Sequence, residues 1–394
     1  MAKKWFKSFL IFYAFVFGLS AFSFAQVSSN ELVHSGKFKA AYFDTVVLNP
    51  NQMYQQFNYH GASPLFVQVW HPSNLLKSTK KLQLKDFTNR NVPLELTLVY
   101  ENLKKEWLHY FTEYNLKQET ENYTDINFAP FTLDDVLAEA LAIETQSCFE
   151  KLKKKSNFPV IVYHHGTQGL PFENYQMAEF FASHGFIFVA ANFHWPYSNK
   201  TFGLEESTKN NWTAVDEVLR FAKSLTNNKN LFYIGHSWGA QVGWCFLPQN
   251  KNVTAFVSLE TTIEPKTDSA EVKDKWPFVY EALVEKKQSL NCPVLAISNT
   301  QKEETFYFFR QKNEAKTIFV SAKNTFDHES YHSIFYTRYF LQHKFKASDA
   351  DFLKSQWDLY VKNLEMIKSF LDAVIQKKEP NLNAFKADYF ISVE

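Results

Sequence analysis

Apolar runs of four to seven residues punctuate the second half of the chain: Pro159–Tyr163, Phe186–Ala191, Leu231–Ile234, Val253–Leu259, Pro293–Ile297 and Thr317–Val320. Continuous rather than alternating hydrophobicity is what a strand shows when both its faces are covered, so these runs predict a parallel sheet. Between them lie stretches with helical spacing, Tyr175–Ser183 and the positions Val215, Val218, Leu219 and Ala222, as crossover helices require. Trp357, Tyr360, Val361, Leu364, Ile367, Leu371 and Val374 fall on one face of a long terminal helix. Upstream, Lys37–Leu48 and Leu65–Trp70, set between Pro, Asn and Gly breakers, predict two leading strands. From about 76 to 155 the rhythm turns charged and mostly helical, with a helix predicted over Leu133–Phe149 and Thr132 as its cap. The whole predicts an α/β fold: a mostly parallel central sheet, helices on both faces and a helical insertion before the strand Pro159–Tyr163.

The first residues depart from this pattern. Lys3, Lys4 and Lys7 precede an apolar segment, Phe9 to Phe22, and then Ser23, Phe24, Ala25 and Gln26. That order predicts a signal peptide cleaved after Ala25 and a periplasmic or secreted protein. Residues 26–394 then read as a single domain carrying the insertion at 76–155. Forty-two basic residues nearly cancel forty-one acidic ones, which argues against a nucleic-acid partner. Forty-one phenylalanines bring the aromatic share to 18%, enough for a dense core and for an aromatic-lined groove. Cys148, Cys245 and Cys292 are too few for a disulfide scaffold, and Cys245 reads as a small buried apolar residue.

Against ten glycines in 394 residues, five (Gly166, Gly169, Gly235, Gly239 and Gly243) fall in two short segments. The second contains Gly235, His236, Ser237, Trp238 and Gly239, directly after the run Leu231–Ile234 and before a helix-compatible stretch from Ala240 to Phe246. This is the signature of a nucleophile elbow, where a serine sits on a turn so sharp that flanking side chains would collide. Ser237 is therefore the expected nucleophile.

A serine hydroxyl needs a base to activate it and a third group to orient that base. In an open parallel sheet these groups come from loops at the carboxyl ends of strands, in the order serine, acid, histidine. His328, eight residues past Val320, is the expected base, and His332 is the runner-up. Glu260, the first carboxylate after Val253–Leu259, is the expected acid; Pro293–Ile297 reaches carboxylates only at Glu303 and Glu304. Oxyanion donors are expected from the amides of Trp238, after the elbow, and of Thr167, in the Gly-bearing loop after Pro159–Tyr163. His165, His194 and Trp195 are expected to face the substrate. No metal or cofactor is called for: adjacent His164 and His165 point to opposite sides of an extended strand, without an acidic cluster beside them.

Val67 to Pro72, Val160 to Gly166, Ala182 to Phe186 and the elbow together make the chain similar to the α/β-hydrolases. More narrowly, it resembles their platelet-activating-factor acetylhydrolase and dienelactone-hydrolase-like branch. The resemblance covers about Lys37 to Val374, most strongly Phe158 to Leu259. It implies that the acid follows the strand after the nucleophile helix, where Glu260 stands; relatives usually carry Asp there. It also implies a small-molecule or lipid ester substrate, such as a short-chain acyl ester or a phospholipid acyl group, with transient contact to a lipid surface. Export and aromatic richness are equally compatible with a polysaccharide ester or a polyester. Other readings of the same scaffold are an inactive binding protein and a serine peptidase.

Overall fold

The computed structural model describes residues 33, 36–74, 80–117, 128–167, 170–193, 204–299, 305–310, 316–324, 326–345 and 349–394, and for 204–211 and 350 the backbone alone. The expected signal peptide lies outside the described residues. Each apolar run becomes a strand: β5 (Val160–His164), β6 (Ile187–Ala190), β7 (Leu231–His236), β8 (Ala255–Leu259), β9 (Val294–Ser298) and β10 (Thr317–Ala322). They pair in parallel in the order β6-β5-β7-β8-β9-β10. The leading strands β1 (Lys39–Gln56) and β2 (Tyr59–Ser73) form a long antiparallel hairpin that joins this block through β2 and β6.

Side chains alternate between two faces. On β7, Phe232 and Ile234 enter one apolar cluster and Leu231 and Tyr233 the other. The first cluster is covered by α1 (Thr97–Tyr110), α2 (Leu133–Leu141), α3 (Tyr175–Ser183) and the terminal α6 (Ala350–Gln376). Over the second lie α4 (Leu204–Ser224) and α5 (Trp238–Phe246). Fully buried Trp70, Trp107, Trp244 and Trp357 account for part of the aromatic excess, each large side chain contributing about 1.5–3 kcal/mol by leaving water. The α/β layering and mostly parallel sheet are as predicted. Among the described residues no helix is long and apolar enough to cross a membrane.

The insertion is only partly helical. The helix predicted over Leu133–Phe149 does start at the Thr132 cap, whose hydroxyl accepts from the Asp135 amide at 3.2 Å. It stops at Leu141, and Glu144–Phe149 is a strand, β4. Tertiary pairing overrides local preference here: Cys148 and Phe149 pair in parallel with Ala41 and Tyr42 of β1, and the Trp70 indole donates to the Ser147 hydroxyl at 3.1 Å. A short β3 (Lys81–Gln83) pairs with β4, and β11 (Tyr389–Val393) adds an antiparallel strand beside β10. Neither was anticipated.

Candidate active site

At the carboxyl end of β7 the chain reverses into α5 through Ser237, held at φ 52° and ψ −115°. A left-handed serine is strained, and the turn tolerates it because its flanks carry no side chains. A Cβ on Gly235 would lie 2.4 Å from the Gly239 carbonyl oxygen, and one on Gly239 would lie 2.1 Å from that of His164. Ser237 is anchored on both sides: its amide donates to Leu259 O, and its carbonyl accepts from Ala240 N and Gln241 N, all at 3.0 Å.

The structure brings the expected base to this hydroxyl. His328 Nε2 stands 2.9 Å from Ser237 Oγ across 91 residues of sequence. Its turn is opened by Asp327, whose side chain accepts from the Glu329 amide at 2.9 Å and so caps the turn. Burial, followed by the nearby His236 ring, pulls the His328 pKa down to about 4, which leaves the ring neutral and able to take a proton near neutral pH. For Nε2 to accept from the hydroxyl, the ring proton must sit on Nδ1. Among the described residues that buried Nδ1 has no hydrogen-bond partner. The runner-up, His332, turns elsewhere: its Nε2 is 2.8 Å from Glu329 Oε2.

Glu260 stands where expected, at the end of β8 and 1% exposed, yet the expected contact with His328 is not made in this structure. Its Oε2 instead accepts from the Asn299 amide at 2.7 Å, with the Thr262 amide and the Glu264 carboxyl also against it. Burial and then Glu264 push its pKa well above the carboxylate range. The physical reason for the missing contact is that backbone donors and a second acid already satisfy this carboxyl. Through Asn299, Glu260 touches the start of the loop that carries His328, because the Asn299 carbonyl accepts from Phe326 N at 3.3 Å.

Thr167 is exposed on the loop after β5, and Trp238 is the first residue of α5. Trp238 follows the nucleophile directly, and Gly166, the residue before Thr167, packs against it: a Cβ on Gly166 would lie 3.3 Å from Ser237 Cβ. His165 is corrected from a substrate-facing to a bracing role. It is fully buried, with Nε2 accepting from Phe193 N at 3.1 Å and Nδ1 donating to Gly166 O at 2.7 Å. Burial lowers its pKa, in keeping with this neutral ring. His194 and Trp195 lie outside the described residues. Cys245 is buried, which pushes its thiol up to about 12 and makes it inert.

Sequence reasoning missed two residues here. His236 precedes the nucleophile, and its Nε2 donates to the His328 carbonyl at 3.0 Å. Glu173 is buried beside it, its Oε1 3.7 Å from His236 Nδ1. The available signal was an acid after Leu170, Pro171 and Phe172, just ahead of a mostly apolar helix.

The profile of the alpha/beta hydrolase fold family matches residues 159–364. Among solved structures, a ferulic acid esterase from Streptomyces cinnamoneus superposes with a TM-score of 0.55 at 11% identity, covering 88% of this chain and 93% of that one. A candidate dienelactone hydrolase from Klebsiella pneumoniae subsp. pneumoniae covers 82% of this chain and 99% of its own at 11% identity, but its TM-score of 0.38 is too low to argue from. No curated protein matches the sequence.

Proposed function

The chain belongs to the α/β-hydrolase fold family, and from that premise we propose that it is a serine hydrolase cleaving carboxylic esters through an acyl-enzyme. One observation carries the reading: a strained elbow serine lies 2.9 Å from a buried, neutral imidazole. Ser237 Oγ attacks the ester carbonyl while His328 Nε2 takes its proton. The alkoxide leaves with that proton, and a water activated by the same imidazole then releases the acid. Amides of Trp238 and Thr167 receive the oxyanion. Glu260 is the proposed acid, turning from Asn299 toward Nδ1 as the imidazolium forms.

The substrate is a small ester, with a short acyl group or a phospholipid acyl chain as the first classes to try. Export with cleavage after Ala25 and transient contact with a lipid surface complete the proposal, supported by the basic and apolar N-terminal pattern. That His328 Nδ1 finds no partner among the described residues favours a second reading, an inert binding scaffold. Incubation of the protein with p-nitrophenyl acetate and a fluorophosphonate separates the two. Turnover and covalent label on Ser237, both abolished in Ser237→Ala, are expected; neither turnover nor label leaves the inert scaffold standing.

A further inference from the structure

Taking Ser237 and His328 as nucleophile and base, we infer that Glu173 is the positioning residue of this site: its buried carboxylate holds the end of β5 and lies against His236, and its main chain holds the base loop. Its Oε1 accepts from the Tyr163 hydroxyl at 2.7 Å and from the Gly166 amide at 3.4 Å, which fixes the end of β5 just ahead of Thr167. The same oxygen lies 3.7 Å from His236 Nδ1, on the residue before the nucleophile. Through its other nitrogen, His236 donates to the His328 carbonyl at 3.0 Å. The main chain of Glu173 reaches the base loop independently, since its carbonyl accepts from Ser333 Oγ at 2.9 Å and from Ile334 N at 3.0 Å. One residue thus holds all three loops in register.

The carboxylate also places charge. Burial opposes its ionisation, but the rings of His236, His332 and His165 outweigh burial and hold its pKa below the usual range. The charged or titratable groups facing it are those three histidines, the Tyr163 hydroxyl and His328. Those facing His328 are His236, Glu329, His332 and Glu173 itself. As His328 gains a proton during attack, the anion at Glu173 favours the imidazolium. Loss of that charge makes the ring harder to protonate, so the acid limb of kcat/KM moves to lower pH. A role confined to packing moves no such limb.

Glu173→Gln keeps the reach and drops the charge; Glu173→Asp keeps the charge and shortens the reach. Both are to be made in the full chain, checked for folding by circular dichroism, and assayed with p-nitrophenyl acetate and a fluorophosphonate across pH. For Glu173→Gln a kcat reduced about 10- to 100-fold is expected with KM changed less than about threefold, as for a displaced catalytic geometry, together with the lowered acid limb. Glu173→Asp should restore the limb and only part of kcat. Folded Glu173→Gln with the wild-type kcat and limb overturns the inference. If that variant does not fold, Tyr163→Phe withdraws one bond from the carboxylate and should cost about threefold in kcat; a folded Tyr163→Phe with unchanged kcat overturns it equally. Wild-type protein that takes no label and turns over no ester removes the serine-hydrolase reading and the inference with it. A labelled wild type beside an unaffected variant sinks the inference alone.

Discussion

Glu173 and Glu260 lie on either side of the nucleophile strand, one in the loop after β5 and the other at the end of β8, and both are 1% exposed. Their acidities move in opposite directions. Burial opposes ionisation of each, but Glu173 faces three histidine rings, whereas Glu260 faces a second acid, Glu264. The sign of the neighbours, not the depth of burial, decides which carboxyl is an anion. One flank of the site is preorganised: a charged carboxylate bonded to the end of β5 and set 3.7 Å from His236 Nδ1. The other holds a proton between two acids and, among the described residues, leaves the buried Nδ1 of His328 without an acceptor, an arrangement that costs about 1–3 kcal/mol for an unpaired buried donor. The proposed mechanism requires the second flank to rearrange and the first to stay still.

The sharpest test of that contrast is Glu260→Gln, which should lower kcat by about 10⁴-fold, the size of loss found when the acid of a triad is replaced. Burst labelling of Ser237 by a fluorophosphonate should slow in step. A variant as fast as the wild type removes Glu260 from the relay, and with it the asymmetry between the flanks.

A steric change on the preorganised flank should act on stability instead. In Gly239→Ala the new methyl would lie 2.1 Å from the carbonyl oxygen of His164 and 2.8 Å from that of His165. Both belong to backbone that leads into Gly166, so the clash cannot be relieved by a side-chain rotation. Destabilisation of about 1–3 kcal/mol is expected for such overpacking, read as a lower denaturant midpoint with an unchanged slope. A variant as stable as the wild type shows that the end of β5 yields, and that this flank is not rigid.

The same contrast explains what the sequence revealed. The strands from Val160 to Ala322 were legible because burial on both faces demands unbroken apolar runs, a purely local signal. Ser237 was legible because its turn demands glycine at fixed offsets, and His328 because one loop near the end of the sheet concentrates histidines. Strand β4 was not, since Glu144–Phe149 continues the helical spacing without a Gly or Pro to end it, and only pairing with β1 makes it extended. Glu173 escaped notice because its meaning lies in partners 63 and 160 residues away, His236 and Ser333. Glu260 was found by strand order, but order along the chain carries no record of Glu264 folding back beside it.

The smallest effect, and the most specific to the protonated flank, is expected from Glu264→Gln. Burial pushes the Glu264 carboxyl up to about 7, although the amide and hydroxyl of Thr261 act to lower it. A folded-state pKa above the unfolded value of 4.5 means that the native protein binds the proton more tightly. Its stabilising contribution is therefore complete below about pH 4.5 and is lost as pH rises through about 7. The glutamine side chain does not titrate, so between about pH 5 and pH 8 the variant's melting temperature should fall less than that of the wild type, by on the order of 2 °C. Freed of a like-charged neighbour, Glu260 should also ionise at lower pH, which carries the acid limb of ester turnover downward with it. Melting curves that respond to pH identically in the two proteins would place the shared proton somewhere other than this pair, and the two flanks would then differ in geometry alone.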